Sequence, residues 1–165
     1  MRAECRQIVE LKLKIDNRIQ ELVNKELISC RGSYAATHPH DFLLKLLPFW
    51  RGDIQQRIED STVDSRQILS GTYRCYGDIE VTADYLNRIN EASRSGYDKP
   101  SYHKVGELPL YVAWEGKNRV KIFSATNTEI VCKLKLTSYP ASDSLLIHKA
   151  YFSKNVYFVS CNDST

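Results

Sequence analysis

Leu108-Pro109-Leu110-Tyr111-Val112-Ala113-Trp114-Glu115-Gly116-Lys117-Asn118-Arg119-Val120-Lys121-Ile122-Phe123 decides how this chain folds. The first half is apolar, β-branched and aromatic, the make-up of a buried strand, expected from Pro109 to Trp114. It stops at a carboxylate, a glycine and two cations. A short helix is expected next, near residues 118–125. Gly116 has no Cβ, so backbone can come close to a ligand there. The N–H groups that open a helix attract anions. Arg119 can fork onto two phosphate oxygens, and Lys117 adds a point charge. Glu115 beside them is suited to hold a metal or orient a water. Together these groups make a candidate phosphate pocket. The competing reading of Arg119 is a surface turn in which it pairs with a nearby carboxylate.

Downstream, Ile130-Val131-Cys132-Lys133-Leu134-Lys135-Leu136 alternates apolar and charged residues, as a strand with one wet face does. Leu145-Leu146-Ile147-His148 and Asn155-Val156-Tyr157-Phe158-Val159 are further strand candidates. Upstream, residues 81–92 have helical spacing, closed by Gly96. A turn follows at 97–101, and His103 falls in a loop before the central strand, where it is a candidate for acid–base work. Residues 60–79 suggest short strands or an extended loop, and 53–59 a helical turn or two. Asp41 is expected to cap a short helix, Phe42 to Leu47, that Pro48 ends. Residues 29–40 make a loop. Residues 4–28 form one amphipathic helix with Ile8, Leu11, Ile15, Ile19 and Leu22 on its apolar stripe and Lys12, Lys14, Asp16, Arg18 and Glu21 on the polar face. Such a helix packs on a core or binds a partner. The expected class is α+β: a helical region 1–60 packed on a core 61–165, in one compact domain.

The composition narrows the classes. A chain of 165 residues suits one domain with an extra element. Its 42% hydrophobic and 26% charged residues are those of a soluble globular protein. A net charge of +3 neither establishes nor opposes nucleic-acid binding. The five cysteines are scattered, without a CxxC or CxH cluster, which argues against zinc and fits a reducing cytoplasm. No apolar run approaches the roughly 20 residues of a membrane span, and the first residues lack a signal-peptide core. The expectation is a cytoplasmic protein without membrane insertion. His38-Pro39-His40 suggests a metal but has no third ligand at a typical spacing, so a plain loop is favoured. His148, among apolar residues, reads as structural. Tyr97, Lys99, Tyr102, His103 and Lys104 mix cations with rings in one segment, and Lys133 and Lys135 share a strand face. That mix suits sequence-independent DNA binding; the alternative is tyrosines that cover the core's edge.

The order from Thr82 to Leu136 resembles the ParB/sulfiredoxin superfamily, in which a helix precedes a strand, a Gly-x-x-Arg turn, a short helix and another strand. Here the turn is Gly116-Lys117-Asn118-Arg119 and the second strand is Ile130 to Leu136. Within the superfamily, the length and the helical N-terminal region resemble the plasmid fertility-inhibition proteins. The resemblance implies a ParB/sulfiredoxin-like mixed sheet with a helical N-terminal extension. It implies a cytosolic inhibitor of conjugative DNA transfer through type IV secretion, with ATP hydrolysis, DNA cleavage and interference at the secretion coupling protein. Gly116, Lys117, Asn118 and Arg119 would then line the phosphate site, with Arg74 reaching in from the preceding segment. Glu115 and Asp78 would hold a divalent metal, Mg²⁺ by preference, and Glu80 would join Glu115 and Arg119 in catalysis. Glu80 has a plainer reading at a helix start, where it serves the helix dipole, and Asp84 one as a solvated surface charge. Two departures narrow this. Lys117 stands where sulfiredoxin has its reactive cysteine, so thiolate repair of a sulfinic acid is not expected. No helix-turn-helix pair follows the last strands, so centromere-site reading is not expected. A phosphate-ester hydrolase and a non-catalytic binding module remain.

Overall fold

The alternation of β5 (Glu129–Ser138) sorts the whole architecture. Ile130, Cys132 and Leu134 point to one face of a five-stranded sheet and are buried there. The computed structural model describes residues 1–27, 36–71, 81–152 and 154–162, with backbone alone over 53–56. The strand order is β1-β5-β3-β4-β2, with β1 Arg51–Asp64, β2 Ile68–Leu69, β3 Ser101–Val105 and β4 Tyr111–Ala113. β1 runs antiparallel to β5, β5 parallel to β3, β3 antiparallel to β4, and β4 parallel to β2. The sheet is therefore mixed and the class is α+β. The strand–glycine turn–helix–strand order expected around Gly116 is present as β4, Gly116, α4 (Lys117–Ala125) and β5.

Helices cover both faces. On one, Tyr102, Ala113, Cys132 and Leu134 pack with Leu86 of α3 (Ala83–Arg94) and Val120 and Phe123 of α4. On the other, Leu69, Val105 and Val112 pack with Cys5 and Val9 of α1 (Arg2–Asn24) and Phe42 and Leu43 of α2 (Pro39–Leu46). A separate two-stranded sheet pairs β6 (Leu145–Lys149) antiparallel with β7 (Tyr157–Cys161). Among the described residues no helix is long and apolar enough to cross a membrane, and Cys5 and Cys132 are buried thiols outside any disulfide.

Several expectations are corrected. Residues 53–59 belong to strand β1, not to a helix. A ladder to β5 that runs from Arg57–Leu136 to Asp64–Glu129 outweighs their weak local preference. β1 also runs through residue 60, so the first strand of the sheet begins within the region expected to be helical. β3 lies where a turn and a loop were expected, and His103 is a buried residue of an interior strand. α1 is rotated from its expected stripe. Cys5, Val9, Lys12 and Asp16 are buried, whereas Leu11 is exposed. α2 starts earlier, with His38 as N-cap and Pro39 in its first turn, so Asp41 lies inside the helix rather than capping it. α3 starts from Thr82, whose hydroxyl accepts from Tyr85 N at 3.2 Å.

Asp64 fastens α1 to the end of β1. Its Oδ2 accepts from Arg6 Nη2 at 2.7 Å and Arg66 Nη2 at 2.9 Å. Its Oδ1 accepts from the Arg66 amide and Nε, both at 3.0 Å. The Arg66 side chain is the main cause that holds the Asp64 carboxyl down at about 2. A depressed carboxyl stabilises the fold above its unfolded value and loses that contribution as the pH falls through the folded one. Stability should therefore drop between about pH 4 and pH 2. A loss of about 1–2 kcal/mol is expected from this group, after allowance for the solvent around Arg66. Urea midpoints measured across that range should show the step, and Asp64→Asn should remove it.

Candidate functional site at the start of α4

β4 ends at Ala113, and three residues later Gly116 turns the chain into α4. Gly116 sits at φ +70° and is the helix N-cap. A Cβ there would stand 2.5 Å from Pro100 Cβ. The glycine is thus required by its own fold, because Pro100 fills the side where a side chain would go. The Gly116 carbonyl accepts from Arg119 N at 3.0 Å and Val120 N at 3.2 Å. Ser70, just past β2, donates its hydroxyl to the Lys117 carbonyl at 3.2 Å. The hydroxyl of Tyr102 lies 3.5 Å from the same Cβ position, buried and without a hydrogen-bond partner among the described residues.

Arg119 does not reach outward. Its Nη1 donates to Ser93 Oγ and its Nη2 to Asp98 Oδ2, each at 2.8 Å, and its side chain is 13% exposed. It clasps α4 to α3 and to the turn beyond it. That is the carboxylate-paired reading of Arg119, with a buried serine added.

Lys117 is turned elsewhere. Its charge depresses the pKa of both His38 and Lys12, behind burial as the larger cause in each. Burial lowers Lys117 as well. Two lysines and an imidazole held towards its neutral form, from α4, α1 and the segment before α2, thus share one region. Asp16, one turn along α1, is the counter-charge of Lys12. Lys12 is 1% exposed and donates to Asp16 Oδ2. Asp16 Oδ1 accepts from the Thr37 amide at 2.8 Å and its hydroxyl at 2.7 Å, which places His38.

Beside this charge stands an aromatic cluster. Trp114 is 49% exposed, and its ring stacks on His103 at 5.3 Å and 13°. The rings of His38 and His40 meet it edge-on at 6.3 and 6.0 Å. His40 leans on buried Trp50 at 5.0 Å. Trp50 Nε1 donates to Thr137 Oγ1 at 2.8 Å. His103 Nδ1 lies 3.0 Å from the Gly52 carbonyl, so Nδ1 carries the proton. Burial keeps the ring neutral, and Nε2 is buried without a partner among the described residues.

The other expected residues distribute as follows. Glu115 is exposed beside the turn and its amide donates to Ser101 O at 3.4 Å. Asn118 follows Lys117 in the first turn of α4. Arg74, Asp78 and Glu80 lie outside the described residues. Among those described, no group of three His, Cys, Asp or Glu converges as a metal would require. The expected DNA surface is not one surface. Tyr102 is fully buried in the core and has no ring face to offer a base. Lys99 is 8% exposed and bound to Asp60 at 2.9 Å. Lys104 faces Glu107 at 3.6 Å. Lys133 and Lys135 stand across from Ser101 and His103, on the sheet face opposite to that of Lys104.

Sequence reasoning missed Lys12, His38, His40 and Trp114 as one group. The signals were present: Lys12 and Asp16 continue the stripe of Cys5 and Val9, and Trp114 closes an otherwise buried strand. Comparison of this chain with family models, with curated proteins and with solved structures finds no match.

Two substitutions test this geometry. Gly116→Ala should cost about 1 kcal/mol or more from the positive φ alone, with the Pro100 contact added, read as a lower urea midpoint. Arg119→Ala should cost about 1–2 kcal/mol, because the buried Ser93 hydroxyl loses a charged donor.

Proposed function

We propose that this protein binds a nucleotide where α4 begins. Lys117 and His38 meet the phosphates, Lys12 adds its field from beneath, and the exposed face of Trp114 stacks on the base. One observation carries the reading: Lys117, Lys12 and His38, from three separate elements, gather at the positive end of a helix dipole with a half-exposed indole beside them. The like charges of Lys117 and Lys12 disfavour each other and hold His38 towards its neutral form, and a polyanion relieves both effects. Base stacking on an exposed ring adds about 1–3 kcal/mol and tolerates any base.

The resemblance to the ParB/sulfiredoxin superfamily extends this proposal. ATP is then the nucleotide, and the biological role is to block conjugative DNA transfer through type IV secretion at the coupling protein. Two readings of that role remain, hydrolysis of ATP with metal-dependent cleavage of DNA, and occlusion of the coupling protein without chemistry. The commitment of Arg119 to Ser93 and Asp98 favours occlusion. Of the expected metal and catalytic carboxylates, Glu115 stands beside the turn, and Asp78 and Glu80 lie outside the described residues.

Calorimetric titration with ATP and with inorganic triphosphate tests the reading. Lys117→Ala should weaken both about tenfold or more, the worth of one charged contact. Trp114→Ala should weaken ATP and leave triphosphate unchanged. The depressed His38 gains a proton when an anion binds, so affinity should rise as the pH falls from 7.5 to about 5.5. An absence of saturable binding at millimolar ATP, or equal affinity in Lys117→Ala, removes the proposal. Phosphate release and plasmid nicking by the wild type, lost in Lys117→Ala, would favour hydrolysis over occlusion.

A further inference from the structure

The β6–β7 hairpin forms a sheet of its own. Two strands alone are marginally stable in water. This pair closes at its tip, where Ala150 N donates to Val156 O at 2.8 Å. Cross-strand partners share a face, so Ile147, Tyr157 and Val159 lie on one side and Leu146 and Phe158 on the other. All five are exposed. At the tip Tyr151 is fully exposed and Phe152 78% exposed, and the Phe152 ring meets Phe158 edge-on at 6.4 Å. Exposed apolar surface of this extent marks an interaction site. It wraps the tip instead of marking one face. A rigid partner docks on one face and leaves the other wet, whereas a fluid medium closes around both.

Charge says which medium. From Ser144 to Asn162 the chain has no Asp or Glu, while Lys149 and Lys154 stand on either side of Tyr151 and Phe152. The two lysines and two rings, with Ala150, line a cleft of about 440 Å³. Rings of this kind settle at the level of lipid headgroups, and lysines beside them meet anionic lipid. Nucleic acid fits less well. Two cations neutralise few phosphates, and Ile147, Val156 and Val159 offer no flat face to a base. The one imidazole in this stretch, His148, has its Nε2 2.8 Å from Ser160 Oγ. The depth agrees as well. The Ile147–Val159 pair stands three residues along the ladder from the tip, about 10 Å. Interfacial elements bury their apolar side about 5–10 Å into the headgroup boundary.

We propose that the β6–β7 hairpin docks this protein on an anionic bilayer: Tyr151 and Phe152 enter the headgroup layer, and Lys149 and Lys154 meet the lipid phosphates. The contact lies in the interface and does not cross the bilayer. It uses none of the residues of the α4 site and does not depend on the nucleotide reading.

Co-sedimentation of the full chain with vesicles tests it. Vesicles of equal parts phosphatidylglycerol and phosphatidylcholine should carry the wild type down. Phosphatidylcholine alone should hold it about tenfold more weakly or less. Salt at about 0.5 M should weaken binding to the mixed vesicles. Tyr151→Ser with Phe152→Ser should lose about tenfold or more on them, with an unchanged circular dichroism spectrum. Lys149→Gln with Lys154→Gln should bind mixed vesicles no better than phosphatidylcholine. Leu13→Ser, at an exposed position of α1, should bind as the wild type does. Phe152→Trp should add emission that shifts to the blue with mixed vesicles, the mark of a ring leaving water. No co-sedimentation with mixed vesicles, or equal binding by the double-serine variant, overturns the proposal. So does a bound Phe152→Trp protein whose emission does not shift. Retention of a single-stranded oligonucleotide or another protein through Tyr151 and Phe152, without vesicle binding, overturns it too.

Discussion

The contact that the rest of the molecule depends on is the close approach of Gly116 to Pro100. One strand hands over to one helix there, with no room for a methyl group between them. The left-handed turn sets the direction of α4, and that direction lets Phe123 and Val120 reach the core while Arg119 reaches Ser93 and Asp98. It leaves Trp114 on the near side of the turn, half in solvent over His103. A residue type that usually permits a ligand's approach here permits a neighbour's ring instead. The proposed ligand chemistry lies one residue on, at Lys117.

The buried Lys12–Asp16 pair is the second organising element. An ammonium with so little solvent is tolerated because its carboxylate partner is itself satisfied by the Thr37 amide and hydroxyl. To break any one of these bonds is to leave a charge uncompensated beneath the helices. The same arrangement seats His38 and His40 against Trp114, so the packing of α1 and the shape of the candidate site are one structure. Burial disfavours the charged forms of Lys12, Lys117 and His38 alike, and the charge of Lys117 adds to that effect on Lys12 and His38.

Much of the fold was legible in the chain. The run from Leu110 to Phe123 announced strand, turn and helix, and the alternation from Ile130 to Leu136 announced β5. What failed did so for physical reasons. β3 carries Tyr102, His103 and Lys104, and its strand character comes from neighbours on both sides rather than from its own residues. β1 is held by its ladder to β5 over a stretch with little preference of its own. The stripe on α1 was misjudged because a lysine and an aspartate occupy it, and a pairing at i, i+4 lets them pass as core. At the site, the turn residues were found but the direction of Arg119 was not. A four-residue motif does not say which of two partners, a buried serine or a ligand, lies within reach of the guanidinium. Trp114 and the two histidines converge across 76 positions of sequence, from His38 to Trp114, and only the folded chain brings them together.

The ring of His103 has a consequence for how the aromatic cluster behaves. Its Nδ1 is held by a backbone carbonyl, its Nε2 is buried without a partner among the described residues, and burial favours the uncharged ring that stacks on Trp114. The imidazole thus backs one side of the half-exposed Trp114 as a flat, neutral support.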